Sequence, residues 1–216
     1  MNFKGLIFDL DGVIVDTAKY HYLAWKSLSE RLGIEFTEKD NERLKGVSRM
    51  ASFEIILEIG GRTMSQGEKE ACCAEKNDLY VSYIKHLTQN DILPGVSAFI
   101  TDAKAKGFKL ALGSASKNSM LILNRLGIKG YFDAIIDGTK VSKAKPDPEV
   151  FVKGAEELGL DPAACIVFED SEAGIEAAHR GGMKAVAIGT KENLPDGDVI
   201  IPGFEGILID DLTARL

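Results

Sequence analysis

The sequence predicts an α/β protein, a doubly wound parallel sheet into which an all-helical segment is inserted. Three observations carry this. Gly5, Leu6, Ile7 and Phe8 form a short apolar run that stops abruptly at Asp9, as a buried parallel strand does. From Asp91 onward, strand-length apolar runs alternate with helical patterns. Between the two, residues 17–88 read as helix with no convincing strand.

Taken in order, the opening strand is followed by a helical stretch from Thr17 to Leu32, closed by Gly33, with Ala18, Tyr22, Trp25, Leu28 and Leu32 on its apolar stripe. A second helix starts near Thr37. Lys45-Gly46-Val47-Ser48-Arg49 reads as a loop, and Ser48 as the N-cap of a helix to about Ile59. Ser65-Gln66-Gly67-Glu68 has the form of a capping box and opens a long helix towards Leu87. The later helices are expected at Val96–Lys106, Asn118–Leu126, Pro148–Leu158 and Glu172–Arg180. The later strands are expected at Lys109–Gly113, Ala134–Ile136, Ala164–Phe168 and Ala185–Ile188. Gly107, Gly127, Gly159 and Gly181 each follow a helix, where a C′ glycine belongs. Residues 1–15 and 91–216 thus form the core and residues 16–90 a helical cap, with hinges near 13–16 and 88–94.

Composition bounds the function. A chain of 216 residues, 45 % hydrophobic, can bury the core of one large domain carrying an insertion. Its formal net charge of −7, without a long Lys/Arg block, argues against nucleic acid as a partner, so an anionic substrate must be held by local cations. No apolar run approaches the ~20 residues that span a bilayer, and the acid at position 9 interrupts any leader, so a cytoplasmic protein without a membrane partner is expected. Cys72, Cys73 and Cys165 are odd in number and lack metal-type spacing, which points to buried thiols rather than disulfides or zinc.

The chemistry concentrates at strand ends, where open α/β sheets bind ligands. Asp9 and Asp11, two apart in an extended segment, point the same way, and two acids that close invite a hard divalent cation such as Mg²⁺. Alone, Asp-Gly is equally an ordinary turn pair. After the strand at 109–113 come Ser114, Ala115 and Ser116, then Asn118 at a helix start: a phosphate seat, or simple N-caps. Lys145 precedes Pro146-Asp147-Pro148, and Ile166-Val167-Phe168 runs into Glu169 and Asp170, repeating the opening design.

In order and spacing, Asp9-Leu10-Asp11-Gly12, Ser114, Lys145 and Glu169-Asp170 resemble the four signatures of the haloacid dehalogenase-like phosphotransferase superfamily, on four strand ends of one core. The insert is similar to that of the β-phosphoglucomutase family within it, through Asp16-Thr17, His21, Trp25, Lys45-Gly46-Val47-Ser48-Arg49 and Lys76-Asn77, as is Ser114-Ala115-Ser116-Lys117-Asn118 of the core. The resemblance extends to about residue 190.

This resemblance implies interconversion of β-glucose 1-phosphate and glucose 6-phosphate through β-glucose 1,6-bisphosphate, with Mg²⁺ as cofactor and a small sugar phosphate as partner of a monomer. It implies Asp9 as the nucleophile that is phosphorylated and Asp11 as general acid/base. Asp9, the main-chain carbonyl of Asp11 and Asp170 would hold the metal, with Glu169 nearby. Ser114, Ala115 and Lys145 would seat the transferring phosphoryl group and Arg49 the distal phosphate. Gly46, Val47, Ser48, Trp25, Ser52, Lys76, Ser116 and Asn118 would line the sugar pocket. His21 and Lys76 would help bring Asp11 into position, with Thr17 at the hinge.

Each residue keeps a plainer reading: Trp25 as core, His21 as a hydrogen-bonded core histidine, Lys76 as a solvated lysine. His86 and His179 have no partner motif, and the stretch after residue 190 carries no chemistry. Two rivals stand beside the mutase: a phosphatase using the same Asp9 and Asp11 with water as acceptor, and a non-catalytic phospholigand-binding protein.

Overall fold

Residues Gly5–Phe8 make strand β1, buried on both faces, because each neighbour along it points to the opposite side of a sheet covered on both. The computed structural model describes residues 3–44 and 47–216. After β1 come helices α1 (Ala18–Arg31), α2 (Glu38–Glu42), α3 (Arg49–Ile59) and α4 (Gln66–Ile84). The alternating region follows: α5 (Val96–Ala105), β2 (Lys109–Gly113), α6 (Ser119–Leu126), β3 (Ala134–Ile136), α7 (Glu149–Leu158) and β4 (Cys165–Glu169). Then come α8 (Glu172–Arg180), β5 (Lys184–Ile188), β6 (Val199–Ile201) and α9 (Ile209–Thr213).

Contacts divide the chain into two units, one of Met1–Asp16 and Thr88–Leu216, the other of Thr17–Leu87. In the first, among the described residues, six strands form one sheet in the order β3-β2-β1-β4-β5-β6, parallel at every pairing. On one face Ile7 joins Ala111, Val167 and Ala185 under Phe151 and Ile175. On the other, the Phe8 ring stacks on Phe168, its cross-strand partner, with centroids 4.6 Å apart, and meets Phe99 and Phe204. This is the doubly wound α/β fold that the β/α alternation predicts.

In the second unit the described residues contain helix and no strand. Trp25, Leu28, Phe36, Phe53, Ile56 and Leu57 form its core, closed by Cys72 and Cys73 of α4. The predicted caps are present: Ser48 Oγ accepts from the Ala51 N–H at 3.3 Å, and Ser65 and Glu68 exchange the two bonds of a capping box.

Two expectations need correction, and one stretch left without a role gains a structural one. The long helix α4 ends at Ile84, short of Leu87, because a further capping box, Thr88 with Asp91, starts a 3₁₀ turn at Gln89–Asp91. Gly107, Gly127 and Gly159 take the left-handed conformation, but after α8 it is Gly182 (φ 76°), while Gly181 stays helical. Finally, the stretch after residue 190 adds β6 to the sheet edge, and Asp198 before it accepts from Ala185 N–H, Lys184 and His179. His179 thereby takes a structural part at the sheet edge.

Among the described residues no helix is long and apolar enough to cross a membrane, and Cys72, Cys73 and Cys165 are buried and free.

Candidate active site

From β1 the chain builds outward in two directions, to β2 and β3 on one side and to β5 and β6 beyond β4 on the other. The switch point therefore falls between β1 and β4, the crevice where open α/β sheets hold ligands. Asp9 follows Phe8 there, and its N–H donates to the Phe168 carbonyl at 3.0 Å, beside Glu169 at the end of β4.

Into this gap the loop before α7 brings Lys145. Its Nζ donates to Asp9 Oδ1 at 2.5 Å and to Glu169 Oε1. The other Glu169 oxygen accepts from the Ser171 N–H and Oγ, both at 2.9 Å. All three charged side chains are buried, with Glu169 1 % exposed. Gly174 makes room, since a Cβ there would lie 2.0 Å from Glu169 Oε1. Glu169 is thus the acid whose two oxygens already have protein donors.

Burial pushes the Asp9 carboxyl well above the usual carboxylate range; Lys145 opposes this, while Glu169, Asp11 and Asp170 add to it. Burial likewise disfavours the charge on Lys145, but Asp9 and Glu169 outweigh it and hold the ammonium above its ordinary value. The cluster holds four acids against one lysine, an excess that a hard dication would correct.

Glycine at position 12 decides the geometry on the open side. Gly12 has φ 78°, and a Cβ there would stand 2.0 Å from Asp170 Oδ2. The Asp170 carboxylate is therefore laid against the turn that carries Asp11. Among the described residues no three His, Cys, Asp or Glu side chains gather as a metal cage. The expected set needs only two carboxylates, Asp9 and Asp170, with one main-chain carbonyl, and the acid excess fits a hard cation.

At the end of β2, Ser114 is buried and its Oγ accepts from the Ser116 N–H at 3.1 Å. Ser116 Oγ accepts from the Asn118 N–H, and the Ser116 carbonyl takes bonds from Ser119 Oγ and Gly138 N–H. Ala115 lies against Gly138, where a Cβ would meet the Ala115 carbonyl at 2.1 Å. The loop 114–118 is thus stitched to the ends of β2 and β3, beside the strand bearing Asp9.

The helical unit gathers a second set of predicted residues. Lys76 Nζ lies 2.8 Å from His21 Nδ1 and over the faces of Trp25 and Tyr80, 4.6 and 4.8 Å from their centroids. A charged lysine donates, so His21 accepts at Nδ1 and carries its proton on Nε2. Burial, then Lys76 and Arg49, hold the His21 pKa well below its ordinary value, and the ring is neutral. Arg49 Nη2 donates to Asn77 Oδ1 at 2.7 Å.

Lys76 is buried rather than solvated, and Trp25 and Ser52 are core residues of this unit, Trp25 stacked on Phe53. Val47 is partly buried, Ser48 exposed at the α3 cap, and Thr17 fully buried before α1. Gly46 lies outside the described residues. A groove of about 540 Å³ near Tyr22, Phe36 and Lys39 contains none of these residues.

A family model described as haloacid dehalogenase-like hydrolase matches residues 6–188. The chain belongs to the haloacid dehalogenase-like hydrolase family. Within this family it is 44 % identical to the β-phosphoglucomutase of Bacillus subtilis, across 92 % of this chain and 88 % of that one. It is 31 % identical to a phosphorylated carbohydrates phosphatase of Thermotoga maritima, across 92 % and 90 %. The crystal structure of a β-phosphoglucomutase from Clostridium difficile superposes with a TM-score of 0.95 at 42 % identity, covering 99 % of this chain and 96 % of that one.

Proposed function

We propose that the chain is a phosphoryl-transfer enzyme that interconverts β-glucose 1-phosphate and glucose 6-phosphate. The observation that carries the chemistry is the buried contact of Asp9 with Lys145 at the sheet's switch point. A carboxylate is a competent phosphoryl acceptor there, with a fixed cation to balance the incoming oxygens. The likeness to β-phosphoglucomutases of B. subtilis and C. difficile, across most of the chain, favours a mutase.

In this reading Asp9 enters the cycle phosphorylated and passes its phosphoryl group to the 6-hydroxyl of β-glucose 1-phosphate, the bond from Asp9 to phosphorus breaking as Asp11 takes that hydroxyl's proton. The sugar then carries both phosphates, as β-glucose 1,6-bisphosphate, and presents its other end to Asp9. An Asp9 oxygen attacks the phosphorus at C1, the bond from phosphorus to the sugar oxygen breaks, and Asp11 gives that oxygen its proton, which leaves glucose 6-phosphate and a phosphorylated Asp9. Ser114, Ala115 and Lys145 seat the group in transit, and Arg49, a planar fork, holds the resting phosphate. Val47, Ser48, Ser52, Trp25, Lys76, Ser116, Asn118 and Gly46 serve sugar recognition, and His21, fixed by Lys76, assists the placement of Asp11. Asp9, Asp170 and the Asp11 carbonyl would hold Mg²⁺, which neutralises phosphoryl charge when bound.

Incubation with β-glucose 1-phosphate, Mg²⁺ and a trace of the bisphosphate, with glucose 6-phosphate measured against inorganic phosphate, tests this. Excess glucose 6-phosphate is expected; predominant inorganic phosphate would replace the mutase by a sugar-phosphate phosphatase, a reading the T. maritima relative supports.

A further inference from the structure

On α4, Cys73, Lys76, Asn77 and Tyr80 stand at i, i+3, i+4 and i+7, one face of a helix. Each engages α1 or α3: the Cys73 thiol donates to the Arg49 carbonyl, Lys76 meets His21 Nδ1, Asn77 Oδ1 accepts from Arg49 Nη2, and the Tyr80 ring lies 4.1 Å from that of His21. Two of these contacts converge on Arg49, one on its backbone at the first turn of α3 and one on its guanidinium.

We propose that Asn77 is a positioning residue that aims the Arg49 guanidinium and leaves its positive charge intact for an anionic ligand. The inference rests on the reading of Arg49 as the holder of the resting phosphate. A guanidinium has five N–H donors, and among the described residues one side-chain bond, at 2.7 Å, fixes its direction while leaving other donors for phosphate oxygens. The acceptor is a neutral amide. A carboxylate in its place would form a charge-assisted fork with Arg49 and compete with the ligand for the same donors. Arg49 is half-buried, Arg49 and Lys76 both act on His21, and the Asp78 carboxylate acts on Arg49 through space.

A double-mutant cycle with Asn77→Ala, Asn77→Asp and Arg49→Ala tests this, with kcat and KM for β-glucose 1-phosphate measured at saturating bisphosphate and melting followed by circular dichroism. Asn77→Ala is expected to raise KM about tenfold with a smaller change in kcat, and Asn77→Asp to raise it at least as much. In the Arg49→Ala background neither change has a further effect beyond about twofold, because the residue acts through Arg49.

Effects that multiply in that background, or a fall in rate that tracks a lower melting temperature in both, make Asn77 structural and overturn the inference alone. So do Asn77 variants with unchanged KM beside an impaired Arg49→Ala. An Arg49→Ala enzyme with unchanged KM overturns the reading of Arg49 itself, and the inference with it.

Discussion

The carboxylate of Asp170 occupies the space that a side chain on Gly12 would fill, its Oδ2 2.0 Å from where a Cβ would be. Two strand ends, 9–12 and 169–170, are thereby locked against each other by the absence of an atom. Gly12→Ala is expected to cost about 1–2 kcal/mol from the left-handed backbone alone. Displacing Asp170 as well lowers turnover about a hundredfold, the scale of a 1 Å error in an active site. Urea unfolding and steady-state kinetics on the one variant separate the two effects; an active Gly12→Ala enzyme would remove Asp170 from the site.

Lys145 is the cation between two buried acids. Lys145→Met leaves Asp9 and Glu169 facing each other without it, and the loss of one partner from a buried pair costs about 3–5 kcal/mol. Turnover falls with it, because phosphoryl oxygens lose their fixed counter-charge. Adding Glu169→Gln to Lys145→Met removes one of the stranded charges, so the double variant should regain stability without regaining activity, as read by denaturant midpoints and product formation.

His21 sets a pH dependence in the helical unit. Its folded pKa lies below the ordinary 6.5, so as pH falls through 6.5 the unfolded chain takes up a proton that the folded one refuses. The stability it contributes is full above 6.5 and is lost towards lower pH, at up to about 1.4 kcal/mol per pH unit. Trp25, the one tryptophan of the chain, is buried in the same unit and reports its unfolding. Its denaturation midpoint should drop between pH 7.5 and 5.5, and drop less in His21→Gln. Equal slopes for both would mean that the histidine is not neutral in the fold.

Asp198 anchors the sheet edge. Burial raises its pKa, but the Ala185 N–H, Lys184 and His179 outweigh this and hold it below the usual carboxylate value. Its contribution is present above the ordinary value of 3.8 and fades as pH falls below it. Asp198→Ala strands the Ala185 N–H and is expected to cost about 1–3 kcal/mol at neutral pH. The gap between variant and parent should close under acid; a constant gap down to pH 2 would assign the loss to packing.

Much of this architecture was legible in the chain. β2 and β3 fall where apolar runs end in polar signatures, and the caps at Ser48 and Ser65 are local chemistry readable three residues at a time. Where tertiary contacts decide, the reading fails. Val199–Ile201 is too short to announce itself and becomes a strand because β5 and Asp198 receive it. Gly181 and Gly182 are indistinguishable as letters, and only the packed helix end selects which one turns. At the site, the acids at strand ends could be seen, but not that Glu169 is engaged by Lys145 and Ser171. The bond between Arg49 and Asn77, 28 positions apart, requires the packing of two helices. Lys76 looks like any surface lysine until Trp25 and Tyr80 are folded around it.

The partnership of Asp9 with Lys145 spans 136 positions of the chain. During synthesis Asp9 leaves the ribosome well ahead of Lys145, with the whole helical unit between them in the chain. A nascent chain that ends between residues 87 and 145 therefore holds every residue of the helical unit while Asp9 still lacks the cation it meets in the fold.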